Sequence, residues 1–482
     1  MEIIKLEKVN EVYNKVICEP GVGYEIKDYF TFKVPNYQFM PAYKNKLWDG
    51  NIYLFNPMNC LLYGGLTEQL EIFCKSRDYK LELLSDFSSD NMSVKETLDF
   101  VKSLNLPFQP REYQLEAFVR CVRSRRKMLL SPTGSGKSLI IYLLSRFYNL
   151  RTLIIVPTTS LIHQMASDFL SYGYSDPDNI HKIYQGQDKN IKSQFVISTW
   201  QSIFKQSKDW FNQFDVVIGD EAHLFKAKSL TSIMTKLETC KYRFGFTGTL
   251  DGSETHQLVL EGLFGPVKKI ITTSELIEQK HLSNFMIKCM SLQYPDDIKK
   301  ECSKYSFQQE MDFLVSNQER NKFITNLSLS LKGNTLLLFQ YVDKHGKVLY
   351  DMISNEHSDK DIYFVHGGID GNEREKIRNI VEKNNNSIII ASYGTFSTGI
   401  NIKNLHNIIF SSPSKSKVRN LQSIGRGLRL SDNKEQAVLY DISDDLSWKQ
   451  RKNFTLLHYI ERVKIYNEEQ FEYKTYKINI NT

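Results

Sequence analysis

The stretch MLLSPTGSGKSLIIYLLSRF, residues 128–147, decides the fold. It opens on a short apolar run (MLLS, 128–131), turns through PTGSGKS and continues as the helix-prone LIIYLLSRF. A strand, a glycine-containing loop and a helix in that order aim backbone N–H groups and a positive helix end at one spot, which suits a polyphosphate. On this reading the loop Thr133, Gly134, Ser135 and Gly136 cradles a β-phosphate, Lys137 neutralises β and γ oxygens, and Ser138 holds Mg²⁺. Ser131 stands where the first glycine of G-x-x-x-x-G-K-[ST] is usual, but Gly134 and Gly136 still let the backbone approach phosphate.

The same rhythm of apolar run, polar loop and amphipathic stretch extends on both sides. TLIIV (152–156), FVIS (195–198), DVVIG (215–219) and FGFT (244–247) follow, and after a gap TLLLF (335–339), IYFV (362–365), SIIIA (387–391), NIIFS (407–411) and AVLYD (437–441). Continuous apolar strands alternating with helices predict parallel sheets covered on both faces, here in two α/β domains at 107–270 and 331–446. Residues 271–330 are more polar and helix-prone, and are expected to form a linker with an insertion. Residues 1–106, with aromatic and β-branched runs broken by Gly-Gly and Pro, predict a small α+β domain. The tail, 447–482, predicts a helix followed by a strand in FEYKTYKINI.

Composition bounds the function. At 482 residues the chain has room for roughly three domains of about 150 residues. No apolar run approaches the about 20 residues of a membrane helix, and the opening MEIIKLEKVNEVYNK alternates acids and bases where a secretory signal is apolar, so work inside a cell is expected. Seven cysteines without a C-x-x-C pair signal neither zinc nor a disulfide framework. Residues 1–106 carry 12 Lys and Arg against 15 Asp and Glu, a net −3, so the other 376 residues carry +10 of a total of +7. A nucleic-acid track is therefore expected mainly on the larger part, with any N-terminal contact a local patch.

DVVIGDEAH ends a predicted strand in two adjacent carboxylates. Asp220 is placed to reach the Mg²⁺ shell and Glu221 to orient and deprotonate water, the division of labour that NTP hydrolysis requires. QSIGRGLRL carries Gln422, Gly425, Arg426 and Arg429, with the arginines three apart on one helical face, suited to stabilising charge on a γ-phosphate.

In order, SPTGSGKS, VPTTSLIHQ, STWQS, GDEAH, TGT, TLLLFQ, ASYGTFSTGIN and QSIGRGLR resemble the superfamily-two DEAH-type helicases over residues 107–445. The resemblance implies tandem RecA-like motor domains with ATP in the cleft between them. It implies an adenine-side contact by Gln114 with Arg111 nearby, coupling of hydrolysis to movement by His223, Thr247 and Thr249, and nucleotide proximity for Gly399 and Asn401. It also implies that Pro157, Thr158, Thr159, Thr199 and Gln201 face a nucleic-acid backbone. Small hydroxyl residues grip phosphates without reading bases, so tracking independent of sequence is expected.

At the front, YFTFKVPNYQFMPAYKNKLWDGNIYLFN followed by YGGL is similar to the N-terminal domain of the UvsW branch-migration helicases of tailed phages. That resemblance implies an ATP- and Mg²⁺-dependent DNA helicase for forks, Holliday junctions and RNA–DNA hybrids in recombination, repair and replication. It would act as a monomer on DNA in the host cytoplasm. Lys44, Lys46 and Trp48, preceded by Tyr43, are candidate contacts to duplex arms. The alternative is that Trp48, Tyr53 and Phe55 form the core of a small sheet around an Asp-Gly turn. Lys415 and Lys417, with Arg419, are a second candidate contact, whereas Arg120, Arg123, Arg125, Arg126 and Lys127 read as a solvated helix end. A duplex translocase subunit of a restriction or repair complex and an RNA- or R-loop-remodelling ATPase remain open.

Overall fold

The computed structural model describes residues 2–34, 37–87, 92–224, 227–248, 250, 254–356, 359–399, 402–412, 424–425, 428 and 436–480. They form two compact units, one of Met1–Ser131 with Gly136–Ile270 and one of Pro132–Ser135 with Ile271–Thr482.

The first unit begins with β1 (Ile3–Lys8), β2 (Tyr13–Ile17), β3 (Thr31–Lys33), β4 (Asn51–Tyr53), β5 (Phe55–Asn56), β6 (Leu61–Tyr63) and β7 (Lys80–Leu83). Among the described residues they build a mixed sheet of order β5-β6-β2-β1-β7 and a separate antiparallel β3-β4 pair. Seven parallel strands follow: β8 (Arg126–Leu130), β9 (Thr152–Val156), β10 (Ile180–Ile183), β11 (Phe195–Thr199), β12 (Val216–Gly219), β13 (Tyr242–Thr247) and β14 (Val267–Lys269). Their order is β10-β11-β9-β12-β13-β8-β14. The apolar runs become the central strands because parallel strands are buried on both faces; every residue of β9, β11 and β12 is buried.

The N-terminal sheet is fused to this motor sheet. Ile4, Leu6, Phe30, Phe55 and Leu62 share one continuous core with Met128, Ile155, Leu260 and Phe264. Gly65 packs so closely on the Glu261 carbonyl that a Cβ there would overlap it. The Glu11 carbonyl accepts from Arg126 Nη2 (2.9 Å) and Arg243 Nη1 (2.8 Å), and Arg243 Nη2 donates to the Met234 carbonyl. Arg126 therefore departs from the solvated helix end expected of its cluster: the helix stops at Ser124, Arg125 turns left-handed (φ 54°), and Arg126 opens β8 beneath the N-terminal domain.

The second unit holds β15 (Asn284–Gln293), β16 (Thr335–Phe339), β17 (Asp361–Val365), β18 (Ser387–Ser392), β19 (Asn407–Phe410), β20 (Gln436–Asp445) and β21 (Tyr473–Asn479), all parallel, in the order β17-β18-β16-β19-β20-β15-β21. The segment expected as linker and insertion thus supplies β15, a ten-residue strand inside the sheet. Its sequence NFMIKCMSLQ alternates buried and half-buried positions, so it lacks the unbroken apolar run by which the other strands stand out. Among the described residues of this unit, Arg320 pairs with Asp444 (2.8 Å) and Arg462 with Asp441 (2.7 Å), both fully buried. Among the described residues no helix is long and apolar enough to cross a membrane.

Candidate nucleotide and nucleic-acid sites

The ends of β8, β12 and β13 converge on the phosphate loop. The Ser131 N–H donates to the Thr247 carbonyl (2.8 Å), tying the loop's first residue to the end of β13. Gly134 and Gly136 have φ of +86° and +78°, values that spare no Cβ, and a Cβ on Gly136 would overlap Gln114 Nε2. Gln114 is locked in turn, its Oε1 accepting the Arg111 N–H at 2.9 Å, while Arg111 Nη1 donates to the Tyr113 hydroxyl. Gly136 leads into the helix Lys137–Tyr148, whose N-terminus the loop presents.

Lys137 Nζ donates to Glu221 Oε1 (3.1 Å) and to the Ser131 carbonyl (3.3 Å). The Gly248 N–H reaches Glu221 Oε2 (3.4 Å), which lies 3.6 Å from His223 Nδ1; that nitrogen is bonded to the Thr247 hydroxyl. A chain of contacts therefore runs from the loop lysine through Glu221 and His223 to Thr247. Glu221 sits at φ 50°, a left-handed conformation that non-glycine residues adopt at a cost, held by the tight turn after β12.

Burial raises both carboxyls, but the two diverge. Lys137 and His223 outweigh burial at Glu221 and hold it below the usual range; at Asp220 burial, reinforced by the Glu221 charge, wins and pushes the group up. The Lys137 charge pulls Asp220 down as well, but not enough to offset burial and the Glu221 charge. The buried Asp220 carboxyl and the Ser138 hydroxyl are hard-oxygen donors of the kind Mg²⁺ takes, and the glycine loop fits phosphate. Ser138 Oγ is 2.7 Å from the Tyr172 hydroxyl, a partner that no motif announced.

The residues expected to face nucleic acid come together at the ends of neighbouring strands, since Thr199 pairs with Val156 in the β11–β9 register. Gln201 Nε2 donates to the Pro157 carbonyl (3.4 Å). Thr159 and Gln201 are exposed, whereas Pro157 and Thr199 are buried, Thr199 Oγ1 lying 2.8 Å from Ser202 Oγ. The Thr158 hydroxyl is buried without a hydrogen-bond partner among the described residues.

In the N-terminal domain the aromatics of the Trp-Asp-Gly stretch divide, and Tyr53, expected in the core of a small sheet, is instead 45% exposed. Phe55 is core, and Trp48 is half-buried with Nε1 donating to the Asn51 carbonyl (2.8 Å). Lys44 and Lys46 are exposed. Gly399 ends the helix Tyr393–Gly399 in the second unit. Thr249, Asn401, Lys415, Lys417, Gln422, Arg426 and Arg429 lie outside the described residues.

Residues 4–84 match the family model of the DNA helicase UvsW N-terminal domain, 107–252 that of the type III restriction enzyme res subunit, and 319–431 that of the helicase conserved C-terminal domain. The chain is 35% identical to the ATP-dependent DNA helicase uvsW of Enterobacteria phage T4 over 97% of both chains. It is 26% identical to the DNA 3'-5' translocase XPB2 of Sulfurisphaera tokodaii over 69% of this chain and 81% of that one. The crystal structure of T4 UvsW superimposes with a TM-score of 0.52 at 33% identity, covering 99% of this chain and 100% of that one. Agreement along essentially the whole length, N-terminal domain included, places the chain in the UvsW family of DNA helicases.

Proposed function

We propose that this ATP-dependent DNA helicase acts on branched DNA, driving branch migration at forks and Holliday junctions during recombination, repair and replication in a host cytoplasm. The observation that carries the reading is the N-terminal domain: an accessory sheet fused to the first motor sheet, offering exposed Lys44 and Lys46 beside Trp48. An ATP motor needs no such domain to translocate on a plain strand.

In the cycle we infer, Mg²⁺–ATP supplies the phosphoanhydride bond and the metal's charge. The loop from Thr133 to Gly136 and Lys137 would hold the phosphates, Ser138 and Asp220 the metal, and Glu221 a proton of the attacking water. Arg426 and Arg429 would offset charge on the γ-phosphate. Arg111, Gln114, Gly399, Asn401 and Gln422 would contribute to nucleotide binding. His223, Thr247 and Thr249 would relay hydrolysis to movement, a role supported by the Lys137–Glu221–His223–Thr247 contacts. Pro157, Thr158, Thr159, Thr199 and Gln201, with Lys415 and Lys417, would track the backbone of one strand for a monomer.

The test compares ATP-dependent remodelling of a four-way junction, a tailed duplex and an RNA–DNA hybrid. Preference for the junction, weakened by Lys44→Ala with Lys46→Ala while ATPase persists, supports the reading; equal use of the tailed duplex refutes it. Lys137→Ala should abolish hydrolysis and leave junction binding, and wild-type ATPase in that variant would refute the site.

A further inference from the structure

Ahead of β4, residues 37–50 form an exposed projection. Tyr37–Phe39 is a 3-10 turn and Pro41–Lys44 a short helix; the Lys46 N–H then donates to the Tyr43 carbonyl and the Leu47 N–H to the Ala42 carbonyl, both at 2.9 Å. Beyond the apex, Asp49 accepts from the Asn51 N–H (3.0 Å), from Asn51 Nδ2 (2.9 Å) and from the Tyr53 hydroxyl. The Tyr37 ring stands edge-on to Tyr43 with centroids 4.7 Å apart and backs onto Gly50, where a Cβ would lie 2.8 Å from Tyr37 Cγ. None of these contacts uses the side chain of Leu47.

That side chain is 81% exposed, and Phe39 67%; Met40 and Tyr43 are also exposed, so four apolar side chains face solvent within nine residues. Single surface apolar residues are ordinary. Here they ride on a turn whose backbone bonds and Tyr37–Tyr43 contact leave the Leu47 side chain uninvolved, and the exposed Lys44 and Lys46 precede Leu47 by three residues and one. Neither lysine takes part in a described ion pair. Asp49, the nearby acid, is bonded to Asn51 and Tyr53. Apolar side chains presented next to exposed cations are suited to inserting between base pairs and unstacking them. Trp48, a candidate contact in the same turn, is half-buried and donates its indole N–H to the Asn51 carbonyl.

We propose that Leu47, backed by Phe39, is the wedge that parts the base pair at the branch point, with Lys44 and Lys46 on the flanking phosphates. The proposal rests on the branched-DNA reading and names the residue that does the parting. The base of the projection is fixed to the motor: Phe30 and Leu54, which border β3 and β4, belong to the core shared with Met128 and Phe264. DNA drawn along the first motor domain would meet a wedge joined to that domain's core.

The experiment uses the full-length chain and a four-way junction carrying 2-aminopurine at the branch point, with Leu47→Ala and Leu47→Met. Wild type should raise the fluorescence on binding without ATP. Leu47→Ala should lose that rise and migrate the junction at least about tenfold more slowly, keeping junction affinity and DNA-stimulated ATPase within about threefold, and Leu47→Met should recover most of both. Migration by Leu47→Ala at the wild-type rate, or affinity falling in step with migration, overturns the wedge while leaving branched-DNA activity standing. A wild type that remodels no junction refutes the branched-DNA reading and the wedge with it.

Discussion

Gly136→Ala perturbs the nucleotide site through two separable terms. At φ +78° an alanine pays the left-handed penalty, about 1 kcal/mol, and its Cβ overlaps Gln114 Nε2. Relief requires Gln114 to move, breaking the 2.9 Å bond from the Arg111 N–H to its Oε1. Losing that bond at a buried amide adds roughly 1–3 kcal/mol, for a total of about 2–4 kcal/mol. Gly173→Ala is the internal control: its φ is +96° but nothing lies within 4 Å of its Cβ, so only the backbone term applies. Urea unfolding and titration with a fluorescent ATP analogue should show Gly136→Ala losing more than Gly173→Ala, with nucleotide affinity down at least about 30-fold if some 2 kcal/mol is expressed in binding. Gln114→Ala added to Gly136→Ala should remove the overlap and produce strong non-additivity. Equal losses for the two glycine variants, or additive behaviour of the pair, would refute the argument.

Three further outcomes follow from buried groups. Arg320→Leu strands the Asp444 carboxylate with the Tyr294 hydroxyl as its remaining side-chain partner among the described residues. It should destabilise the second unit by about 3–5 kcal/mol in urea melts, with Arg320→Met plus Asp444→Leu recovering most of it. Arg243→Met removes the described donor to the Met234 carbonyl and one of the two described donors to the Glu11 carbonyl, so a loss of about 1–3 kcal/mol and faster amide exchange in β1 and β2 are expected. His345 is buried between Ser412 Oγ and Asn321 Oδ1, and burial followed by the Arg320 charge pulls it down to about 3 from an ordinary 6.5. The unfolded chain then binds the extra proton, so stability from this group is full above pH 6.5 and falls by up to about 1.4 kcal/mol per pH unit toward pH 3. His345→Gln should flatten that part of the stability–pH curve, measured as urea midpoints.

What the sequence determined by itself was whatever is written contiguously or repeated with a period. TLIIV and TLLLF are legible as strands because a parallel strand buried on both faces must be apolar at every position. The strand, loop and helix of the phosphate site lie in one 20-residue stretch, so spacing alone announces them. Tertiary structure decided the rest, because a contact between side chains a hundred residues apart leaves no local periodicity. The edge strands Ile180–Ile183 and Val267–Lys269 are too short to stand out, and β15 hides in an alternating pattern. Arg126 reads as one more surface cation until folding sets it under Glu11 beside Arg243. The sequence leaves Trp48 either a contact to duplex arms or part of a small core, and the Asn51 carbonyl that takes its indole N–H, like the exposure of Leu47, exists only once the chain has closed on itself.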